Sequence, residues 1–229
     1  MMESPYSGQV ITVFDGALTI SWKPHPERDF AFEATFYLDH PSFAQFRAEK
    51  PPLHVHPHQE EYIQVIEGAL ALEVEGVEHV VRPEDGDFLI RPWTIHRLYT
   101  VPASAMPEGC NVVTFLASGQ KTLEVFKMDL LFFENWYRYQ DEVIRNKKSI
   151  DFVQAMCFFD AGGSYMTLPW WTPFRRTLSQ AIGIIVGRWV AAFLGYQPYY
   201  RKWSTDWALA ESKMSSSMFY RGWTKGKTE

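Results

Sequence analysis

Three histidines stand at alternate positions, His54, His56 and His58, within the run PPLHVHPHQEEYIQVIEG. On an extended strand alternate side chains share a face, so these imidazoles line one side. Glu60 and Glu61 follow, then the apolar run from Tyr62 to Ile66 and a turn at Gly68. A further histidine, His96, closes a later strand-like run, GDFLIRPWTIHRL. Imidazoles and a carboxylate converging from two strands can bind a divalent transition metal such as Zn, Fe, Ni or Mn. The competing reading is a polar strand face, but three histidines at period two followed by an acid favour a metal or catalytic site. Not all of the histidines can be ligands. With His54 and His56 binding, His58 falls at the turn leading to Glu61, and Leu53 and Val55 pack on the opposite face.

The run from His54 through His56 and Glu61 to Gly68 resembles, in spacing and residue type, the first motif of the cupin family. The run from Gly86 to Pro92, with His96, is similar to the second. The resemblance implies a small antiparallel β-barrel of jelly-roll type and a mononuclear metal site of three histidines and one glutamate. Carried over residue by residue, the ligands would be His54, His56, Glu61 and His96. Ala48 stands where the first motif usually has glycine, with Pro51 and Pro52 stiffening the entry. The second motif is one residue short between Pro92 and its histidine, and Thr94 stands where a glycine's freedom is expected. The resemblance covers roughly the first half of the chain.

The elements that must position these residues are legible as short β-prone runs. Gln9 to Phe14 and Ala17 to Trp22 flank Asp15-Gly16, a strong hairpin signal, and Phe30 to Leu38 is extended and aromatic. Ser42 to Glu49 reads as a short helical turn or lid. Strands follow at Pro52 to Pro57, Glu61 to Ile66, Ala69 to Glu75, Val77 to Arg82, Asp87 to Arg91, Ile95 to Val101 and Asn111 to Leu116. Gly68, Gly76, Asp85-Gly86 and Pro92 punctuate them as in an antiparallel barrel. The expected fold is therefore mainly β over residues 1–118, with a helical, aromatic-rich extension over 119–229.

In that extension, Asp129 to Lys147 and Asp151 to Asp160 read as helices, the second capped by Asp151. Thr172 and Pro173 form a candidate N-cap and N1 pair for a helix from Phe174 to Leu194. That helix is long enough to span a bilayer, which takes about twenty residues. Arg188 near its centre opposes spanning, at a cost of roughly 2.5–3.5 kcal/mol. Ala181, Gly183, Gly187, Ala191 and Gly195 would permit close helix packing, so a buried or partner-facing helix is preferred to membrane contact through 174–195. Thr205 to Ser217 reads as the last helix.

Composition narrows the classes. The 229 residues suffice for one well-buried domain with an appendage, and a hydrophobic fraction of 46% is ordinary for a globular protein. A net charge of -5 argues against broad nucleic-acid binding. Only Cys110 and Cys157 are present, which suits a reducing interior compartment. The start MMESPYSGQV lacks the basic and apolar regions of a secretory signal, so a cytoplasmic location is expected. Aromatics at 16% suit a hydrophobic cavity or an interface.

The resemblance implies enzymes of several classes. A helical, aromatic C-terminal half looks like single-domain cupins of fungal secondary-metabolite pathways. The preferred expectation is an oxygen-using oxidoreductase, a dioxygenase for example, holding Fe and acting on a hydrophobic small molecule. Glu61 would be both ligand and base. His58, Glu60, Tyr62 and Arg91 are second-tier catalytic candidates, for which an exposed turn (His58, Glu60) or an outer-face pair (Tyr62, Arg91) is the preferred reading. The alternatives are a non-redox cyclase, isomerase or lyase, with the metal as Lewis acid or absent, and a non-catalytic binding cupin. A homodimer is also compatible with the exposed strand edges of such a barrel.

Overall fold

The computed structural model describes residues 5–43 and 50–220. Most of the stretch read as a lid, 44–49, and the Ala48 position therefore lie outside the described residues. The chain divides into two compact units, one over Ser7–Lys121 and the other combining Met1–Tyr6 with Thr122–Glu229.

The first unit consists of antiparallel strands in two sheets. One sheet carries β1 (Val10–Val13), β2 (Leu18–Trp22), β3 (Arg28–Tyr37), β10 (Val112–Gln120), β5 (Glu61–Glu67) and β8 (Asp87–Ile90), in that spatial order. The other carries β4 (His54–Val55), β9 (His96–Thr100), β6 (Leu70–Val74) and β7 (Val77–Val81), in that order. Side-chain alternation decides what each strand hides. Along β5, Glu61, Ile63 and Val65 are buried while Tyr62 and Gln64 are only half-buried, so the carboxylate shares the inward face with aliphatic side chains. From β10, Val113, Phe115 and Ala117 join that core, and Phe36 stacks on Phe115 at a centroid distance of 5.9 Å.

Gly68 explains the turn between β5 and β6. Its φ is +80°, and a Cβ there would stand 2.5 Å from the Val112 carbonyl oxygen, so backbone conformation and space both demand glycine. The β1–β2 hairpin forms as expected, with Val13 opposite Leu18. The expected strand over Pro52 to Pro57 contracts to His54–Val55. Pro51, Pro52 and Pro57 have no N–H to give a ladder, which confines the pairing to the residues between them.

The second unit is helical. α1 (Leu130–Arg145) is capped by Asp129, whose side chain accepts from the Phe132 amide. α2 (Phe152–Ala161) is capped by Asp151 accepting from Gln154. The long helix α3 spans Arg175–Leu194 and includes a π-helical stretch at Ile185–Val190. α4 (Trp207–Ser216) follows, capped by Asp206. Thr172 is not the cap of α3. Its amide instead closes a turn onto the Pro169 carbonyl, and Phe174, left-handed at φ 50°, is the residue before the first turn. An aromatic side chain in that conformation is uncommon and costs about 1 kcal/mol or more.

Inside this unit α3 packs through small side chains at intervals of four: Ser179, Gly183, Gly187 and Ala191 are buried. A Cβ at Gly187 would come within 2.2 Å of the Met156 carbonyl oxygen, and one at Gly183 within 2.4 Å of the Tyr165 ring. Ala181 and Gly195, also read as packing positions, are exposed instead. Both cysteines are free, and burial pushes the Cys157 thiol up to about 12.

Candidate metal centre

The two sheets of the β unit bring four of the predicted residues together. His54 and His96 are directly opposite one another in the β4–β9 ladder. His56 lies two residues beyond His54, where its carbonyl oxygen accepts from the Trp93 amide at 3.0 Å and ties the segment to the approach of β9. Ring centroids are 4.4 Å apart for His54 and His96, 4.9 Å for His54 and His56, and 5.0 Å for His56 and His96. Glu61 reaches them from the other sheet. Its Oε2 is 3.0 Å from His96 Nε2 and 3.6 Å from His56 Nε2. His56, Glu61 and His96 are all buried.

The approach to His96 solves the problem posed by the short second motif. The left-handed residue is Trp93, at φ 66°, rather than Thr94. The turn closes with the Thr94 amide on the Arg91 carbonyl at 3.2 Å. Glu75 then clamps the strand entry, its carboxylate accepting from the Ile95 amide at 2.7 Å while its own amide donates to the Ile95 carbonyl. Neither carries a sequence signal of this role: Trp93 acts through its backbone conformation, and Glu75 through a carboxylate twenty residues away from the amide it accepts from.

Tautomers follow from backbone acceptors. His54 Nδ1 lies 3.1 Å from the Pro52 carbonyl oxygen, and His96 Nδ1 lies 2.9 Å from that of Thr94. A carbonyl oxygen only accepts, so both Nδ1 atoms carry hydrogen and, in the neutral rings, both Nε2 atoms present lone pairs. For His96 that lone pair would face a carboxylate oxygen at 3.0 Å. Two lone pairs at that separation repel unless a proton or a cation sits between them.

Burial lowers the pKa of His54 well below its ordinary value, with the neighbouring His96 and His56 adding to the effect. Burial also lowers His56, against the opposing pull of Glu61. For Glu61, burial acts upward, but the hydrogen bonds and charges of His56 and His96 together outweigh it and hold the carboxyl well below the usual range. Burial thus favours the neutral form of His54 and His56 and Glu61 is held ionised, the protonation state a metal requires of such ligands.

The donor set fits a transition metal. The ligating nitrogens of His54, His56 and His96 all lie within 4.8 Å of one another. Metal–imidazole bonds of about 2.0–2.1 Å place ligating nitrogens no more than about 4 Å apart, so binding would hold that triangle to this size or smaller. Fixing Nδ1 through a backbone carbonyl is the usual way a ligating imidazole is oriented.

The second-tier candidates are placed elsewhere. His58 and Arg91 are exposed. Tyr62 points to the outer face, where its hydroxyl donates to Glu60 at 2.5 Å and the Arg28 guanidinium lies 3.5 Å from its ring centroid. The structure gathers His54, His56, Glu61 and His96, and leaves His58, Glu60, Tyr62 and Arg91 outside the cluster.

A profile of the family described as "Cupin domain" matches residues 47–104, the stretch that contains all four clustered residues. The protein named "Probable oxidoreductase yanE" from Aspergillus niger is 38% identical over 215 residues, spanning 92% of this chain and 82% of its own length. The chain belongs to the cupin family. This cupin is also similar to "Probable oxidoreductase patJ" of Aspergillus clavatus, 35% identical over 94% of this chain and 69% of that one. To "Epoxidase atD" of Aspergillus terreus it is 32% identical, over 93% of this chain and 68% of that one. Unlike the family profile, these matches extend across the helical unit, so relatives named as oxidoreductases share more than the β framework.

Proposed function

We propose that this cupin is a metal-dependent oxidoreductase, binding iron through His54, His56, His96 and Glu61 and using dioxygen to oxidise a hydrophobic, aromatic small molecule in secondary-metabolite biosynthesis. The observation that carries the reading is the Glu61–His96 contact of 3.0 Å, made by a histidine whose other nitrogen is already committed to the Thr94 carbonyl. A buried carboxylate facing such a ring is a cation site in the making. The redox half of the reading is supported by the names of the relatives, an epoxidase among them.

The protein's own residues have distinct tasks in this account. Pro52 and Thr94 orient the rings of His54 and His96 through their carbonyls, and burial keeps His54 and His56 neutral and ready to ligate. Glu61 supplies negative charge to balance a divalent cation. Its low pKa makes it a poor proton acceptor at neutral pH, so charge balance suits it better than the role of general base. Bound iron would supply the one-electron chemistry and dioxygen activation that no amino-acid side chain in this cluster offers. Burial of His56, Glu61 and His96 excludes water, which strengthens each electrostatic contact and protects reactive species from hydrolysis.

The test has two parts. Elemental analysis of protein purified without added metal should find iron in stoichiometric amount, lost in His56→Ala. Turnover of aromatic candidate substrates should then stop when dioxygen is removed. Undiminished anaerobic turnover by metal-free protein would replace this reading with a non-redox cyclase or isomerase.

A further inference from the structure

The long helix of the second unit is built inside out for a water-soluble surface. Its small residues, Ser179, Gly183, Gly187 and Ala191, are buried, while its large apolar ones face outward. Leu178, Ile182, Ile185, Trp189 and Phe193 recur at intervals of three and four, which places them on one stripe opposite the packed face. Phe193 is 90% exposed, and Phe174 just before the first turn is 85% exposed. Trp170, preceding them in the chain, is 79% exposed. Trp189 extends the surface by stacking on Phe219 at 5.8 Å between centroids. A continuous apolar surface of this kind marks an interaction site.

Charge identifies the occupant. Between Asp160 and Asp206 the chain has no acidic residue, yet it carries Arg175, Arg176, Arg188, Arg201 and Lys202, in a protein whose net charge is -5. Arg188 is committed to Asp160 through contacts of 2.8 and 2.9 Å, and Lys202 to Glu142. Arg175 and Arg176 occupy the first turn of the helix, where cations oppose the helix dipole, so helix stability does not account for them. A second copy of this surface would bring the same cations and no acid to meet them. The C-terminal residues after Tyr220 add Arg221, Lys225 and Lys227 against a single acid, Glu229, and do not complement the surface either. An anionic lipid headgroup layer over an acyl core satisfies both the cations and the aromatic stripe.

Helix Arg175–Leu194 has 20 residues and a mean hydropathy of 1.5 in its apolar window, enough to cross a bilayer by length and composition. The geometry points instead to an in-plane arrangement. The Arg188–Asp160 pair and the close fit of Gly187 against Met156 hold one face of the helix to α2, leaving only the opposite face for lipid. We propose that this helix docks the protein on an anionic membrane surface, lying in the interface with Ile185, Trp189 and Phe193 inserted and Arg175 and Arg176 at the headgroups.

Co-sedimentation with vesicles tests this on the full chain. With phosphatidylcholine vesicles containing about one third phosphatidylserine, the wild type should pellet, and its tryptophan emission should shift to the blue. Pure phosphatidylcholine should bind more weakly, and added salt should weaken the anionic case. The exposed double substitution I185E and F193E should reduce partitioning about tenfold or more while leaving the circular dichroism and melting temperature unchanged. R175E with R176E should remove the preference for anionic vesicles. The proposal is overturned if wild type stays in the supernatant with both vesicle types. It is equally overturned if I185E with F193E pellets as the wild type does, or if lipid-free protein self-associates through this face and the same substitutions abolish that association.

Discussion

The two units treat buried negative charge in opposite ways. In the helical unit the buried acids Asp129, Glu134, Asp141 and Asp160 each contact a permanently charged base, respectively Lys213, Arg138, Arg145 and Arg188. Glu134 also accepts from the amide and hydroxyl of Thr205. In the β unit the one buried acid among the described residues is Glu61, and its ion-pair partners are the imidazoles of His56 and His96. A lysine or arginine completes the charge balance within the protein. An imidazole carries no permanent charge, so the first arrangement is structural and the second is left open to a cation.

The sharpest way to break that comparison is to remove one partner from each kind of site. Arg188→Ala strands the buried Asp160 carboxylate and should destabilise the protein by about 3–5 kcal/mol in chemical denaturation. Glu61→Gln removes a charge that faces imidazoles rather than a lysine or arginine, and in metal-free protein it should cost less than the Arg188 change. Equal losses would mean that Glu61 is structural like the others.

Next in size is a packing change that leaves charge untouched. Gly187→Val forces a side chain into the 2.2 Å approach to the Met156 carbonyl and should destabilise by about 2 kcal/mol or more. Thermal melts should show this loss, while metal content stays at the wild-type value.

Acid should act on the β unit in a defined direction. The pKa values of His54 and His56 are lowered on folding, so above the unfolded value of about 6.5 both states are neutral and nothing is lost. Below it the unfolded chain takes up protons that the folded one refuses. Stability of metal-free protein should therefore fall with pH below about 6.5, by up to about 1.4 kcal/mol per unit for each histidine. Denaturation across that window should flatten in His54→Asn. The smallest effect belongs to Tyr62→Phe, on the outer face, where activity and metal content should change less than about twofold.

How much of this could be read from the residues differs by region for a physical reason. His54 and His56 are legible because strand periodicity fixes which side chains share a face, Glu61 is what the resemblance to the first cupin motif implies, and alternation along its strand sends Tyr62 outward. The turn before His96 was not, because its left-handed residue is Trp93, a type that gives no hint of that conformation. The start of the long helix differs for a similar reason: Thr172 has the chemistry of a cap, but the residue before the first turn is Phe174, left-handed at φ 50°. Along that helix Gly183, Gly187 and Ala191 announced close packing, whereas Ala181 and Gly195 carried the same signal and proved exposed. Small residues show that close approach is possible, and only the neighbouring helix decides where it happens.

The most direct test of the account is an anaerobic titration of metal-free protein with ferrous iron, followed by calorimetry. The account predicts one site, accompanied by proton release where the free histidines are partly protonated, abolished by His96→Ala and weakened by Glu61→Gln. Binding that survives His96→Ala unchanged, or an absence of binding to the wild type, would contradict it.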